Sequence, residues 1–87
     1  MEIILTCTPL RFYTETDEAL LFQWLKAVLC ITTIQGVGRE LHLHIANPTI
    51  SHDDLLNLIG IFDRYKFDTN QLLVFKNEEN AYLFETE

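Results

Sequence analysis

The chain has 87 residues, of which 48% are hydrophobic and 11% aromatic, which is enough for one folded domain. Thirteen acidic side chains against six basic ones give a formal net charge of −7. Nucleic acid and anionic membranes are therefore poor partners, because both need clustered Lys and Arg, and the basic residues here are scattered. The charge favours association with a basic protein instead.

The cysteines and the chain start bear on the cellular compartment. Cys7 and Cys30 lie within apolar segments and indicate buried, reduced thiols rather than a disulfide framework. The first residues lack the positive charge of a secretion signal, and no apolar run approaches the roughly 18–20 residues of a membrane span. We therefore expect a cytoplasmic protein.

The first predicted elements are a strand and a helix. Residues 2–8 are short, apolar and rich in β-branched side chains, as in a buried strand. Thr14 and Asp17 match a capping box at the start of a helix, with Gly36 as the candidate C-terminal cap. The apolar face of this helix is Leu20, Leu21, Trp24, Val28 and Ile31. Residues 32–34 alternatively form a short strand that leads into a hairpin around the glycines.

The middle of the chain predicts a second strand and a second helix. Residues 40–45 alternate, with leucine and isoleucine on one face and Glu40, His42 and His44 on a wetter face. Ser51 is the predicted N-cap of the next helix, and Asp54 occupies its third position. The core face of that helix comprises Leu55, Leu58, Ile59 and Phe62.

The last elements complete the predicted fold. Residues 72–76 and 81–85 are expected to form an antiparallel hairpin across a turn that begins and ends with asparagine. The result is a single α/β domain over residues 1–87, with a mixed sheet in the order β-α-β-α-β-β and two helices packed on it. Right-handed crossovers would make its first three strands parallel.

No catalytic or cofactor motif stands out. Gly36-Val37-Gly38 lacks the Lys-Ser/Thr or the third glycine of phosphate-binding loops, and both cysteines fit a core pattern. We therefore expect neither enzyme activity nor a cofactor. The alternative is a small metal-dependent enzyme, because His42 and His44 project from one face of a strand and could hold Zn²⁺ with an open position.

Acidic and aromatic side chains are interleaved in the last third of the chain. Buried aromatic anchors with charges at the rim are a common plan for protein interfaces. The predicted partner-binding residues are Asp63, Asp68, Glu78, Glu79, Tyr82 and Glu85. Phe22 and Leu29 form a second candidate patch. A further alternative is a regulatory or scaffold module that self-associates through an exposed sheet edge.

Three stretches resemble a known class of proteins. They are a G-x-G-R-E-L strand in residues 36–43, a capped helix ending in F-x-R-Y in residues 51–65, and D-x-x-Q-L-x-x-F within residues 68–78. Together they cover 34 of the 87 residues and resemble small bacterial immunity proteins encoded beside polymorphic toxins, such as those of contact-dependent growth inhibition.

The resemblance implies a cytoplasmic inhibitor that binds one cognate toxin domain in a 1:1 complex and blocks its active site or a surface that it needs. Many such toxins are basic nucleases, and an acidic domain that imitates phosphates suits them. Toxins that form pores or modify proteins have immunity partners too. The resemblance carries no catalytic residue and no contact position onto this chain.

Overall fold

Helices cover one face of a three-stranded antiparallel sheet in the computed structural model, which describes residues 2–8, 10 and 14–84. No helix in these ranges is long and apolar enough to cross a membrane. The elements in chain order are β1 (Ile3–Cys7), α1 (Glu15–Ala27), β2 (Ile31–Val37), β3 (Glu40–Ile45), α2 (His52–Arg64) and two 3₁₀ helices, η1 (Thr69–Phe75) and η2 (Ala81–Phe84).

The helix α1 is shorter than the apolar spacing predicted. Thr14 caps it as expected, since its hydroxyl accepts a hydrogen bond from the Asp17 N–H at 3.1 Å. The helix ends at Ala27, and Val28 is already extended (φ −84°, ψ 105°). The following run is rich in β-branched residues, which favour strands over helices. The expectation of a helix that continues through Ile31 to a Gly36 cap is therefore wrong.

The alternative for residues 32–34 is confirmed, because they lie in β2. A tight turn at Gly38, whose φ of +61° suits glycine, joins β2 to β3. The sheet order is β1-β3-β2, and both pairings are antiparallel. The predicted parallel arrangement and the order β-α-β-α-β-β are wrong. The sequence pattern predicts residues 31–37 as the end of a helix, but they form the strand β2, and the turn after β2 makes β3 antiparallel to it.

The two faces of the sheet differ in polarity. Leu5, Leu43 and Ile45 point toward the helices and are almost fully buried. The opposite face carries Ile4 and His44 together with other residues that are exposed or half-buried. The wetter face predicted for β3 is thus confirmed, and the buried hydrophobic side chains of the described residues form one core cluster.

The two α-helices approach closely at Gly60. A Cβ there would lie 3.3 Å from Cζ2 of Trp24, so a side chain at this position would press on the indole ring. The indole N–H donates to Oδ1 of Asn57 at 2.9 Å. The contact therefore combines a close helix approach with a satisfied indole donor.

The end of α2 is closed by a Schellman motif. The Phe67 N–H donates to the Phe62 carbonyl at 2.9 Å, and the Lys66 N–H donates to the Asp63 carbonyl at 3.4 Å. Lys66 takes the left-handed conformation (φ +63°) that glycine usually supplies at this place. The rings of Phe62 and Phe67 pack edge to face with centroids 5.5 Å apart, which directs the chain back toward the core.

The predicted C-terminal hairpin is wrong. Residues 69–75 and 81–84 form η1 and η2, and burial of Leu72 and Phe75 follows the threefold period of a 3₁₀ helix. Asp68 starts η1 by accepting a hydrogen bond from the Asn70 N–H at 3.0 Å. The side-chain amide of Gln71 then accepts from the Thr6 N–H (2.6 Å) and donates to the Thr6 carbonyl (2.8 Å), so that an amide rather than a strand satisfies this part of the β1 edge.

Asp54 is the one charged residue that is buried in the described part of the chain. Its N–H donates to the Ser51 hydroxyl at 3.1 Å, which confirms Ser51 as the N-cap of α2. Its carboxylate accepts from the N–H groups of Leu29 (3.2 Å) and Cys30 (3.0 Å). The carboxylate therefore ties the start of α2 to the turn between α1 and β2.

Replacement of Asp54 by alanine should lower the free energy of unfolding by about 3 kcal/mol, because two backbone donors lose a charged acceptor. Urea denaturation of the wild type and of Asp54→Ala measures this. Asp53→Ala is the matched control, since Asp53 is exposed and precedes Asp54 in the same helix. Equal stability of the two variants would contradict the structural role given to the Asp54 carboxylate.

Candidate functional site

A groove of about 520 Å³ runs between α2, η1 and η2. The helix α2 supplies one wall, and η1, which packs against α2, supplies the other. The lining residues are Ile59, Gly60, Asp63, Thr69, Asn70, Leu72, Leu73, Leu83 and Phe84. A groove of this volume lies within the roughly 300–1,000 Å³ range of ligand sites in proteins.

The polar groups that line the groove are an acid, a hydroxyl and an amide. The side chains of Asp63, Thr69 and Asn70 are all exposed. None of them makes a side-chain hydrogen bond or ion pair with another residue in the ranges that the structure describes. Their hydrogen-bonding capacity is therefore free for a ligand.

The apolar lining of the groove is partly open to solvent. Leu73 is 50% exposed, while Ile59, Leu83 and Phe84 are half-buried and pack against the core. Leucine at 50% exposure, with other apolar side chains beside it, marks a surface that gains from being covered. The groove thus combines free acceptors with an apolar wall.

The structure distributes the predicted partner-binding residues over this part of the molecule. Asp63 lines the groove, and Asp68 is the N-cap of η1. Glu78 and Glu79 are exposed in the turn between η1 and η2. Tyr82 is 60% exposed, and its ring stacks on His52 with centroids 6.3 Å apart. Glu85 lies outside the described residues.

The turn that carries the two glutamates is held by asparagine side chains. Oδ1 of Asn77 accepts from the N–H groups of Glu79 (2.9 Å) and Asn80 (3.0 Å), and Oδ1 of Asn80 accepts from the Asn77 N–H (2.7 Å). Nδ2 of Asn80 also donates to the Phe75 carbonyl at 2.8 Å. These bonds involve no glutamate side chain, and Glu78 and Glu79 are both exposed to solvent.

The sequence pattern does not indicate several of the groove residues, because it predicts strands for the C-terminal segments. These residues are Thr69, Asn70, Leu73 and Leu83. A signal was present, since Asp68 stands two residues before Asn70 in the spacing of a side-chain-capped turn. The three-residue spacing of Leu72 and Phe75 fits the observed 3₁₀ helix better than a strand.

The second candidate patch is only partly exposed. Leu29 is 87% exposed in the turn after α1, whereas Phe22 is half-buried against the core. An isolated exposed leucine is ordinary on protein surfaces. This pair therefore supports a binding surface less well than the groove does.

The strand histidines lie on the open face of the sheet and are engaged by neighbours. Nε2 of His42 lies 3.0 Å from Oε1 of Glu40. Nδ1 of His44 lies 3.0 Å from Oε2 of Glu2, and its Nε2 lies 3.1 Å from Oε1 of Gln35. Across the described ranges, no three His, Cys, Asp or Glu side chains are grouped as a metal site requires.

The cysteines are free thiols in the structure, and both are held neutral. Burial raises the pKa of Cys7 to about 12. Burial, followed by the negative charge of Asp54 and a hydrogen bond to it, raises the pKa of Cys30 to about 11. A nucleophilic cysteine needs a lowered pKa, so the environment of both thiols opposes such a role.

Comparisons with protein-family models, with curated proteins and with solved structures find no match to this chain. The function is therefore inferred from the geometry of the groove, the net charge of the domain and the sequence resemblance to immunity proteins.

Cys30 should react slowly with iodoacetamide at pH 8 in the folded protein. With a pKa of about 11 rather than the usual 9.0, its thiolate fraction is lower by about two orders of magnitude. Because the Cys30 thiol stays protonated below its raised pKa, the alkylation rate should increase only as the pH approaches 11. Mass spectrometry of alkylated peptides measures the rate, and the denatured chain is the control. Equal rates in folded and denatured protein would contradict the assigned environment.

Proposed function

We propose that the protein is an immunity protein that binds a cognate bacterial toxin domain and neutralises it by occlusion. The observation that carries the proposal is the groove between α2, η1 and η2, in which unpaired polar side chains and a partly exposed apolar wall face solvent on a domain of net charge −7. Such a surface suits a basic protein partner.

The resemblance to immunity proteins supplies the kind of partner, and the electrostatics agree with it. A basic nuclease is the proposed toxin class, because an acidic surface competes with the phosphates that such an enzyme binds. The proposed complex contains one copy of each protein. The exposed acids Glu78 and Glu79 attract the toxin at long range, while the groove makes the short-range contacts.

The decisive experiment is co-expression with the cognate toxin domain, which we expect a neighbouring gene to encode. We expect the protein to restore growth of cells that express the toxin domain and to co-purify with it in equal amounts. A toxin domain that kills equally well in the presence of the protein, and that does not co-purify, would remove the proposal.

Charge reversal of Glu78 and Glu79 to lysine should slow association with the toxin by about three- to tenfold at low salt, with little effect on dissociation. The dependence of the association rate on salt should also flatten. Surface plasmon resonance at several salt concentrations measures both rates. The control reverses Glu15 and Glu18, which are exposed in the first turn of α1 and change the net charge equally. An equal slowing by both double variants would show that location does not matter.

A second candidate function is self-association through β2. This strand lies at the edge of the sheet, and its seven residues, ITTIQGV, include no charge and no proline. Proteins usually protect long edge strands with such residues, and an unprotected edge is a template for pairing with another strand. Pairing of two β2 strands would form a continuous six-stranded sheet across two copies.

If this second candidate is right, sedimentation velocity should show a dimer whose proportion rises with concentration. Thr33→Lys should abolish the dimer, because a lysine on each paired edge strand brings like charges together. Thr49→Lys is the matched control, since Thr49 is exposed in the loop before α2. A monomer at every concentration would eliminate this candidate without touching the first one.

A further inference from the structure

We propose that the groove between α2, η1 and η2 receives an arginine side chain of the partner, with its guanidinium against Asp63. The inference rests on the proposed function, because it names the group by which the basic partner is held. Asp63 is the acidic residue among those that line the groove.

The proposed ligand carries a positive charge, and Asp63 is the acidic residue that lines the groove. Asp68, which is close in sequence, is already used, since its carboxylate caps η1. The side chain of Asp63 has no bonding partner among the residues that the structure describes. Its charge also adds to the field of a domain whose net charge is −7. Charge complementarity therefore selects a basic group.

Arginine matches the polar lining better than lysine does. Beside Asp63, Thr69 and Asn70 line the same groove, and their side chains carry a hydroxyl and an amide carbonyl as further acceptors. A guanidinium presents five N–H donors in one plane and forms paired bonds with a carboxylate, whereas an ammonium presents three donors around a point. Several free acceptors around one space thus favour the planar cation.

The apolar wall suits the rest of the arginine side chain. Its three methylene groups would lie along Leu73 and Leu83, as long basic side chains commonly bury their stems against apolar surface. Leu73 is 50% exposed and would become covered. The volume of about 520 Å³ leaves space for the side chain and for part of the backbone that presents it. An entirely apolar ligand would leave the Asp63 carboxylate facing it without a partner.

The test is an NMR titration of the folded protein with N-acetyl-arginine amide as the probe. The control probe is N-acetyl-citrulline amide, which has nearly the same shape and no charge. We expect the arginine probe to shift the amide signals of Gly60, Asp63, Asn70 and Leu83, with an affinity about tenfold higher than that of citrulline. N-acetyl-lysine amide should bind more weakly than arginine.

Asp63→Asn removes the charge with little change in shape and should reduce the arginine affinity to that of citrulline. Asp53→Asn is the matched control, since Asp53 is exposed at the other end of α2 and does not line the groove. Its affinity should equal that of the wild type. A thermal melt of each variant verifies that the fold is retained, and Asp63→Glu, which keeps the charge, should retain binding.

The inference fails if the arginine probe shifts other residues, if it binds the wild type and Asp63→Asn alike, or if lysine binds as tightly. In those cases growth protection by the protein would remain intact as a separate result. Conversely, arginine binding at Asp63 together with no protection from the toxin would remove the proposed function and leave the chemistry of the groove standing.

Discussion

The buried carboxylate of Asp54 is the contact on which the arrangement of the other elements depends. It accepts hydrogen bonds from the N–H groups of Leu29 and Cys30, and the backbone N–H of Asp54 donates to the Ser51 hydroxyl. The turn between α1 and β2 and the start of α2 are thereby fixed at one point. Because α2 is held there, its buried residues, among them Leu58 and Phe62, face the core. The adjacent side of α2, on which Ile59 and Asp63 lie, lines the groove together with η1 and η2.

Side-chain amides and buried apolar side chains together hold the C-terminal segment. Gln71 binds both backbone groups of Thr6, and Asn77 and Asn80 close the turn between η1 and η2. Leu72, Phe75 and Phe67 supply the apolar anchors of this segment. Side-chain hydrogen bonds of this kind satisfy a strand edge without extending the sheet, and thereby limit pairing at that edge. The other edge of the sheet, formed by β2, has no such protection from its own sequence.

Charge and shape have separate tasks in the proposed binding mode. A net charge of −7 acts over distances comparable to the Debye length and raises the rate of encounter with a basic partner. Salt weakens that effect, and charge alone selects no particular protein. Selectivity requires close contact, and in the proposed binding mode the groove beside Asp63 makes that contact through its acceptors and its apolar wall. An acidic domain without such a groove would attract basic proteins with little discrimination among them.

The sequence by itself determined β1, β3, both helix N-caps and the acidic character, because each rests on local chemistry or simple counting. The Ser51 cap depends only on neighbouring residues and not on how α2 packs. The alternation in residues 40–45 indicates a strand with one buried face. Tertiary structure decided the secondary structure of residues 31–37 and 69–84, because short apolar runs are compatible with a helix, a strand or a 3₁₀ helix. Residues 31–37 became a strand because β3 offered an edge, and the C-terminal runs became 3₁₀ helices while the Gln71 side chain occupied the β1 edge at Thr6. The same holds for the candidate site. The sequence predicts Asp63 as a binding residue from its charge, whereas only the fold brings Thr69, Asn70 and Leu73 to the same groove.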